Sequence, residues 1–225
     1  MNKGVIALVD WYWGGHHANY FVNFAIAMAK MGHRVLPLCS DPEDFSYRLA
    51  LVLSEGGNDN LAALIHGPLK LDHPKRSKIR PSRYRGLYNA RHRFGSLGKR
   101  LRKWESSEGE KIERVCFAYM YDRDFSCFEK VGKSFGFPWS GLYANSRAFR
   151  MPGSSMPMTN VMPCPEKIFS SSLLRSVAVL DEGAVKPMSR IVGNKEVVIF
   201  PDLTNEQVPA PGEDESGLAN KIKSF

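Results

Sequence analysis

"GVIALVDWYWGGHHANYFVNFAIAMAKMGHRVLPLCS", residues 4–40, decides how this chain folds. Its first seven residues, GVIALVD (4–10), are a short apolar run that reads as a strand buried on both faces, as parallel strands are. From His17 to Met31 the spacing turns helical, with Phe21, Phe24, Ala25, Met28 and Ala29 on one face. Gly32 supplies a stop, and HRVLPLCS (33–40) reads as the second strand. Strand, glycine turn, helix, glycine stop and strand make a βαβ unit, whose crossover is expected to be right-handed.

The alternation continues outward. Helices are predicted over Asp44–Leu53 and Asn60–Ile65, and a third strand over RVCFAYMYD (114–122). A helix at Phe125–Phe135, a strand FPWSGLY (137–143) and a Met/Pro/Ser/Gly loop at Met151–Pro165 follow. Next come a helix at Pro165–Arg175, a strand SVAVLD (176–181), a helix near Ala184–Ile191 and a strand EVVIFPD (196–202). This pattern predicts an α/β fold, a Rossmann-like doubly wound parallel sheet of about six or seven strands. Residues 1–205 are expected to form one such domain, and 206–225, polar and Pro-rich at first, a linker and the start of a helix.

Composition fits a globular chain, 43% hydrophobic and 24% charged, and no apolar stretch reaches the roughly 18 residues of a membrane span. Trp-Tyr-Trp stands where a signal peptide would carry small residues, so the N-terminus reads as a strand and a cytoplasmic location is expected. Cys39, Cys116, Cys127 and Cys164 form no Cys-x-x-Cys pair and are expected to be reduced and packed.

The net charge of +8 is unevenly spread. Twelve Lys or Arg and no Asp or Glu lie between Lys75 and Lys103, and the remaining 19 basic and 23 acidic residues leave a net of −4. A mildly acidic domain thus carries one basic segment. With Pro74, Pro81, Gly86, Gly95 and Gly98 in it, residues 68–104 are expected to be a mobile loop ending in a basic helix. It reads as solvated chain, as an anion-binding or membrane-surface segment using Arg80, Arg83, Arg85, Arg91 and Arg93, or as a single-strand binder with Tyr84, Tyr88 and Phe94 interleaved.

In doubly wound sheets ligands bind beyond the carboxyl ends of the strands, which puts the WYWGGHH turn at the expected site. Gly14 and Gly15 permit close backbone approach, and the amides opening the next helix attract anionic or hydroxyl-rich groups. Trp-Gly-Gly-His-His-Ala lacks the third glycine of a dinucleotide fingerprint, which weighs against NAD. His16 and His17 have no further ligands at metal spacing, so no metal is expected; either suits contact with a substrate oxygen. Trp11, Tyr12 and Trp13 suit either stacking on a sugar ring or packing in the core. Asp10, Asp122 and Glu182, at strand ends, suit either a bond to a ligand hydroxyl or a helix cap.

Residues 4–35, with the Gly14-Gly15-His16 turn and the "GHRV" entry to the second strand, resemble the N-terminal signature of GT-B glycosyltransferases of the retaining, glycosyltransferase 4 type. "FPWSGLY", "VAVLDEG" and "VVIFPDLTNE" resemble later segments of a bacterial subgroup, so the resemblance spans most of residues 4–205 apart from the basic segment. It implies one half of a GT-B fold, the half that binds the acceptor, with Trp13, Gly14, Gly15, His16, His17 and Asp122 as acceptor-binding residues. It implies no cofactor in this chain, the nucleotide-sugar binding a C-terminal domain absent from it, and a half that is inactive alone because two domains must hold the reacting centres together. The implied acceptor is a sugar or a lipid-linked or phosphorylated compound, with peripheral membrane contact and no nucleic acid. The rival reading is a stand-alone Rossmann-like module whose basic segment holds nucleic acid or a protein partner.

Overall fold

A computed structural model describes residues 4–56, 59–72, 82–120, 135–143, 169, 171–180 and 182–200. The elements run β1 (Val5–Val9), α1 (His17–Lys30), β2 (Arg34–Cys39), α2 (Pro42–Glu55), α3 (Asp59–Ala62), β3 (Leu69–Lys70) and α4 (Ser82–Glu108). They continue with β4 (Ile112–Met120), β5 (Trp139–Tyr143), β6 (Leu174–Val179), α5 (Glu182–Val192) and β7 (Glu196–Ile199). All seven strands pair in parallel in the order β3-β2-β1-β4-β5-β6-β7. This is a Rossmann-like doubly wound sheet, and the chain reverses its direction of travel between β1 and β4.

The period of two along β1 explains why its run is apolar throughout. Ile6 and Leu8 join Phe21, Phe24, Ala25 and Met28 of α1 on one face. Val5, Ala7 and Val9 join Phe94, Leu97, Leu101 and Trp104 of α4 on the other. With helices on both faces, neither set of side chains can be polar. α1 ends in a Schellman arrangement: Gly32 at φ 78° lets the Gly32 and His33 amides donate to the Ala29 and Met28 carbonyls. Asp41 caps α2 through the Asp44 amide, with Pro42 in its first turn. In the sheet interior the Ser140 and Ser176 hydroxyls, both buried, bond each other at 2.9 Å between β5 and β6.

The structure departs from the sequence reading in four places. The stretch expected to be a mobile loop is helical from Ser82 onward. Its glycines argued against a helix, but Phe94, Leu97, Leu101 and Trp104 form a buried stripe, and tertiary packing outweighs propensity. Gly98 belongs to that packing, since a Cβ there would lie 2.9 Å from the Phe135 carbonyl oxygen. β3, two residues beside β2, has too little sequence to carry a pattern. Ile65, expected to end a helix, instead bridges to Val35. The helix expected through Arg175 stops earlier, because Leu174 and Arg175 already belong to β6.

Cys39 and Cys116 are buried free thiols in β2 and β4, each pushed up to about 12, chiefly by burial. Cys127, Cys164, the loop at 151–165, nearly all of the helix expected at 125–135 and the tail lie outside the described residues. Among the described residues no helix is long and apolar enough to cross a membrane.

Candidate functional site

Parallel pairing aligns the carboxyl ends of the central strands. Val9 of β1 sits beside Leu38 of β2 and Phe117 of β4, so the turn after β1 emerges at the crevice between β1 and β4. Asp10 comes first, and it is buried. Its carboxylate accepts from the Tyr12 amide at 2.8 Å and from His17 Nδ1 at 2.8 Å. Because an ionised carboxylate only accepts, His17 carries its proton on Nδ1. The helix-cap reading of Asp10 therefore gives way: the N-cap position of α1 is His16, which makes no side-chain capping bond. Asp10 instead ties the strand end to the first residue of the helix.

The turn between them opens outward. Gly14 and Gly15 are exposed, and a Cβ at either would meet nothing within 4 Å among the described residues. Gly15 lies at φ 59°, where a side chain is strained whatever the room. His16 is exposed on the turn and stacks on buried His17 with ring centroids 5.1 Å apart. Tyr119 of β4 completes the group, 4.5 Å from the His17 ring and 5.8 Å from that of His16. Burial, with the Asp10 charge behind it, raises the Tyr119 phenol and keeps it protonated. Sequence reasoning missed Tyr119. The available signal was a polar-tipped aromatic near the end of an otherwise apolar strand, and the register shift between Phe117 and Met120 is the irregularity that accompanies it.

The three aromatics of the turn take separate roles. Trp11 is 4% exposed, stacked on Phe117 at 5.8 Å and edge-on to Phe94 at 5.5 Å, so it is core and not a sugar platform. Trp13 is half-buried; its indole donates to Asp44 at 2.7 Å, and its ring meets Phe21 and Phe45 edge-on. Arg48 also donates to Asp44, and these two hydrogen bonds hold the Asp44 carboxyl below the usual range. Tyr12 packs beside the core at 5.8 Å from His17.

On the α4 face of the sheet Trp11 borders a second feature, a small cleft of about 80 Å³. Leu71 and Asp72, just past β3, and His92, Arg93, Ser96, Leu97 and Arg100 of α4 line the rest. Arg93 is half-buried, its guanidinium carbon 5.1 Å from the Trp11 ring centroid. Of the arginines expected to hold anions, Arg91 is exposed on α4 and does not line the cleft. Arg83 and Arg85 fall within α4 but their side chains, like Arg80, Asp122 and Asp181, lie outside the described residues. Glu182 opens α5 as an exposed first-turn acid. Among the described residues no three metal-ligating side chains converge.

The structure thus joins Gly14, Gly15, His16 and His17 to Asp10 and Tyr119, and places the arginine-lined cleft on the α4 side of the sheet. Such a turn offers an exposed imidazole, aromatic rings and the positive end of a helix, a surface suited to hydroxyl-bearing or anionic ligands. Compared with known proteins, the chain matches no family model and no curated protein.

Proposed function

We propose that this chain is the acceptor-binding half of a glycosyltransferase, working with a nucleotide-sugar held by a second Rossmann-like half, on the cytoplasmic side. The observation that carries the reading is the open Gly14–Gly15–His16 turn seated on the buried Asp10–His17 pair at the β1–β4 crevice. The family resemblance of residues 4–35 adds to it.

Each residue has a definable part. Asp10 fixes the His17 ring, and His17 with Tyr119 supports the His16 ring from beneath. His16 then meets acceptor hydroxyls, while the first amides of α1 favour electronegative groups beside it. The glycines keep the approach clear. Binding at this turn positions the acceptor, and catalysis awaits the donor half.

Saturation-transfer NMR of the full chain tests this, using a panel of mono- and oligosaccharides with NAD and single-stranded RNA as competitors for the reading. Saccharide signals that fall at least about fivefold in His16→Ala are the expected result, the loss of one ligand hydrogen bond being worth about 1 kcal/mol. Binding of NAD or RNA with indifference to every saccharide would replace the proposal by a dinucleotide or nucleic-acid module.

A further inference from the structure

The cleft beside α4 is cationic and concave, and the turn does not use it. His92, Ser96 and Arg100 are spaced four residues apart and share one helix face, with Arg93 beside them. The only carboxylate among the described lining residues is Asp72. It lies 3.7 Å from Arg100 but its side chain is 81% exposed. An ion pair so exposed is too weak to keep Arg100 from a multiply charged anion.

Arg93 differs. Half-buried over Trp11, it is held in place before any ligand arrives, which lowers the entropy lost on engaging one. A concave wall also focuses the positive field of the exposed α4 cations Arg91, Arg102 and Lys103. Trp11 follows β1 and Asp72 follows β3, so the cleft opens at the same carboxyl edge of the sheet as the glycine turn. Among the described residues of the cleft, no aromatic face stands open for stacking on nucleic-acid bases. Phe94 and Trp11 are consumed by the core, and Tyr88, 48% exposed, does not line the cleft.

We propose that Arg93, Arg100 and His92, over the Trp11 floor, bind the phosphate or diphosphate group of the acceptor whose hydroxyl end meets the Gly14–His16 turn. The acceptor half of this statement rests on the function proposed above; the anion site stands by itself. Guanidinium pairs suit this chemistry because they match phosphate oxygens bidentately and stay charged at every working pH.

Isothermal titration of the full chain with inorganic pyrophosphate at low salt tests the site. Arg93→Gln and Arg100→Gln are each expected to weaken binding about tenfold or more, since charge-assisted hydrogen bonds are lost. Lys99→Gln, the same charge change on the exposed side of the helix, is expected to weaken it less than about twofold. Arg100→Gln leaves the Trp11 contact intact and so remains informative if Arg93→Gln unfolds. No binding, or equal weakening by all three variants, overturns the site in favour of diffuse surface charge.

Glucose 1-phosphate and vesicles of phosphatidylcholine with or without phosphatidic acid then separate the two sources of phosphate. Competition by either one, lost in Arg100→Gln, supports the site and names its source. Single-stranded RNA that binds more tightly than pyrophosphate and is indifferent to Arg100→Gln overturns it. Pyrophosphate bound without any saccharide would keep the cleft and remove the glycosyltransferase reading; the converse would remove the cleft alone.

Discussion

Asp10 is buried and does two things with one carboxylate. It receives the Tyr12 amide and the His17 imidazole, each at 2.8 Å, so Asp10→Ala deprives two donors of their partner at once. We expect a loss of about 2–3 kcal/mol in urea unfolding, with Asp10→Asn, which keeps one acceptor oxygen, costing less. A cost below about 0.5 kcal/mol for Asp10→Ala would mean that the pair does not hold the turn. At this scale the sequence was partly legible. Gly14, Gly15 and the two histidines stood out because nothing else in the turn combines backbone freedom with a titratable ring. Trp11 and Trp13 could not be told apart, since a Trp-Tyr-Trp run has no period. Which ring enters the core depends on Phe94, more than eighty residues later.

α4 shows how an element can hide behind its composition. Two of its glycines, three residues apart, differ in environment. A Cβ at Gly95 meets nothing within 4 Å among the described residues, whereas one at Gly98 meets the Phe135 carbonyl oxygen at 2.9 Å. Gly95→Ala is therefore expected to raise stability by about 0.5–1 kcal/mol through helix propensity. Gly98→Ala is expected to lower it, because backbone must shift to make room. Thermal melts of the two variants should move in opposite directions. Glycine content made this segment read as loop, yet one glycine permits close packing and only the other carries the full propensity penalty. The strands read more easily. β1 and β4 are continuous apolar runs, the pattern of a strand covered on both faces, and their order became visible only with the pairing itself.

Seen whole, the sheet keeps its thiols at the centre of the molecule, where they are hard to ionise. Burial pushes Cys39 and Cys116 from an ordinary value of 9.0 up to about 12. A group whose folded value is raised adds stability that is complete below its unfolded value and is lost as pH climbs to the folded one. Urea midpoints should thus fall between about pH 9 and pH 12. The fall should be shallower in a Cys39→Ala, Cys116→Ala variant measured over the same range. An identical slope in both proteins would show that other groups govern alkaline unfolding. Doubly wound architecture was readable from alternation alone, because each strand and helix carries its own period. The cleft was not readable, since Trp11, Asp72 and Arg100 meet only after the β3 and α4 connections have brought them together.

The hydroxyl pair between β5 and β6 has an energetic signature of its own. Ser140 and Ser176 share one bond inside an apolar sheet, so the free energies of removing them are not independent. Ser176→Ala removes the bond while the buried Ser140 hydroxyl keeps part of its desolvation cost; changing both removes that cost along with the bond. A thermodynamic cycle over Ser140→Ala and Ser176→Ala should therefore close with a coupling of about 1 kcal/mol, the double variant being more stable than the two single losses would sum to.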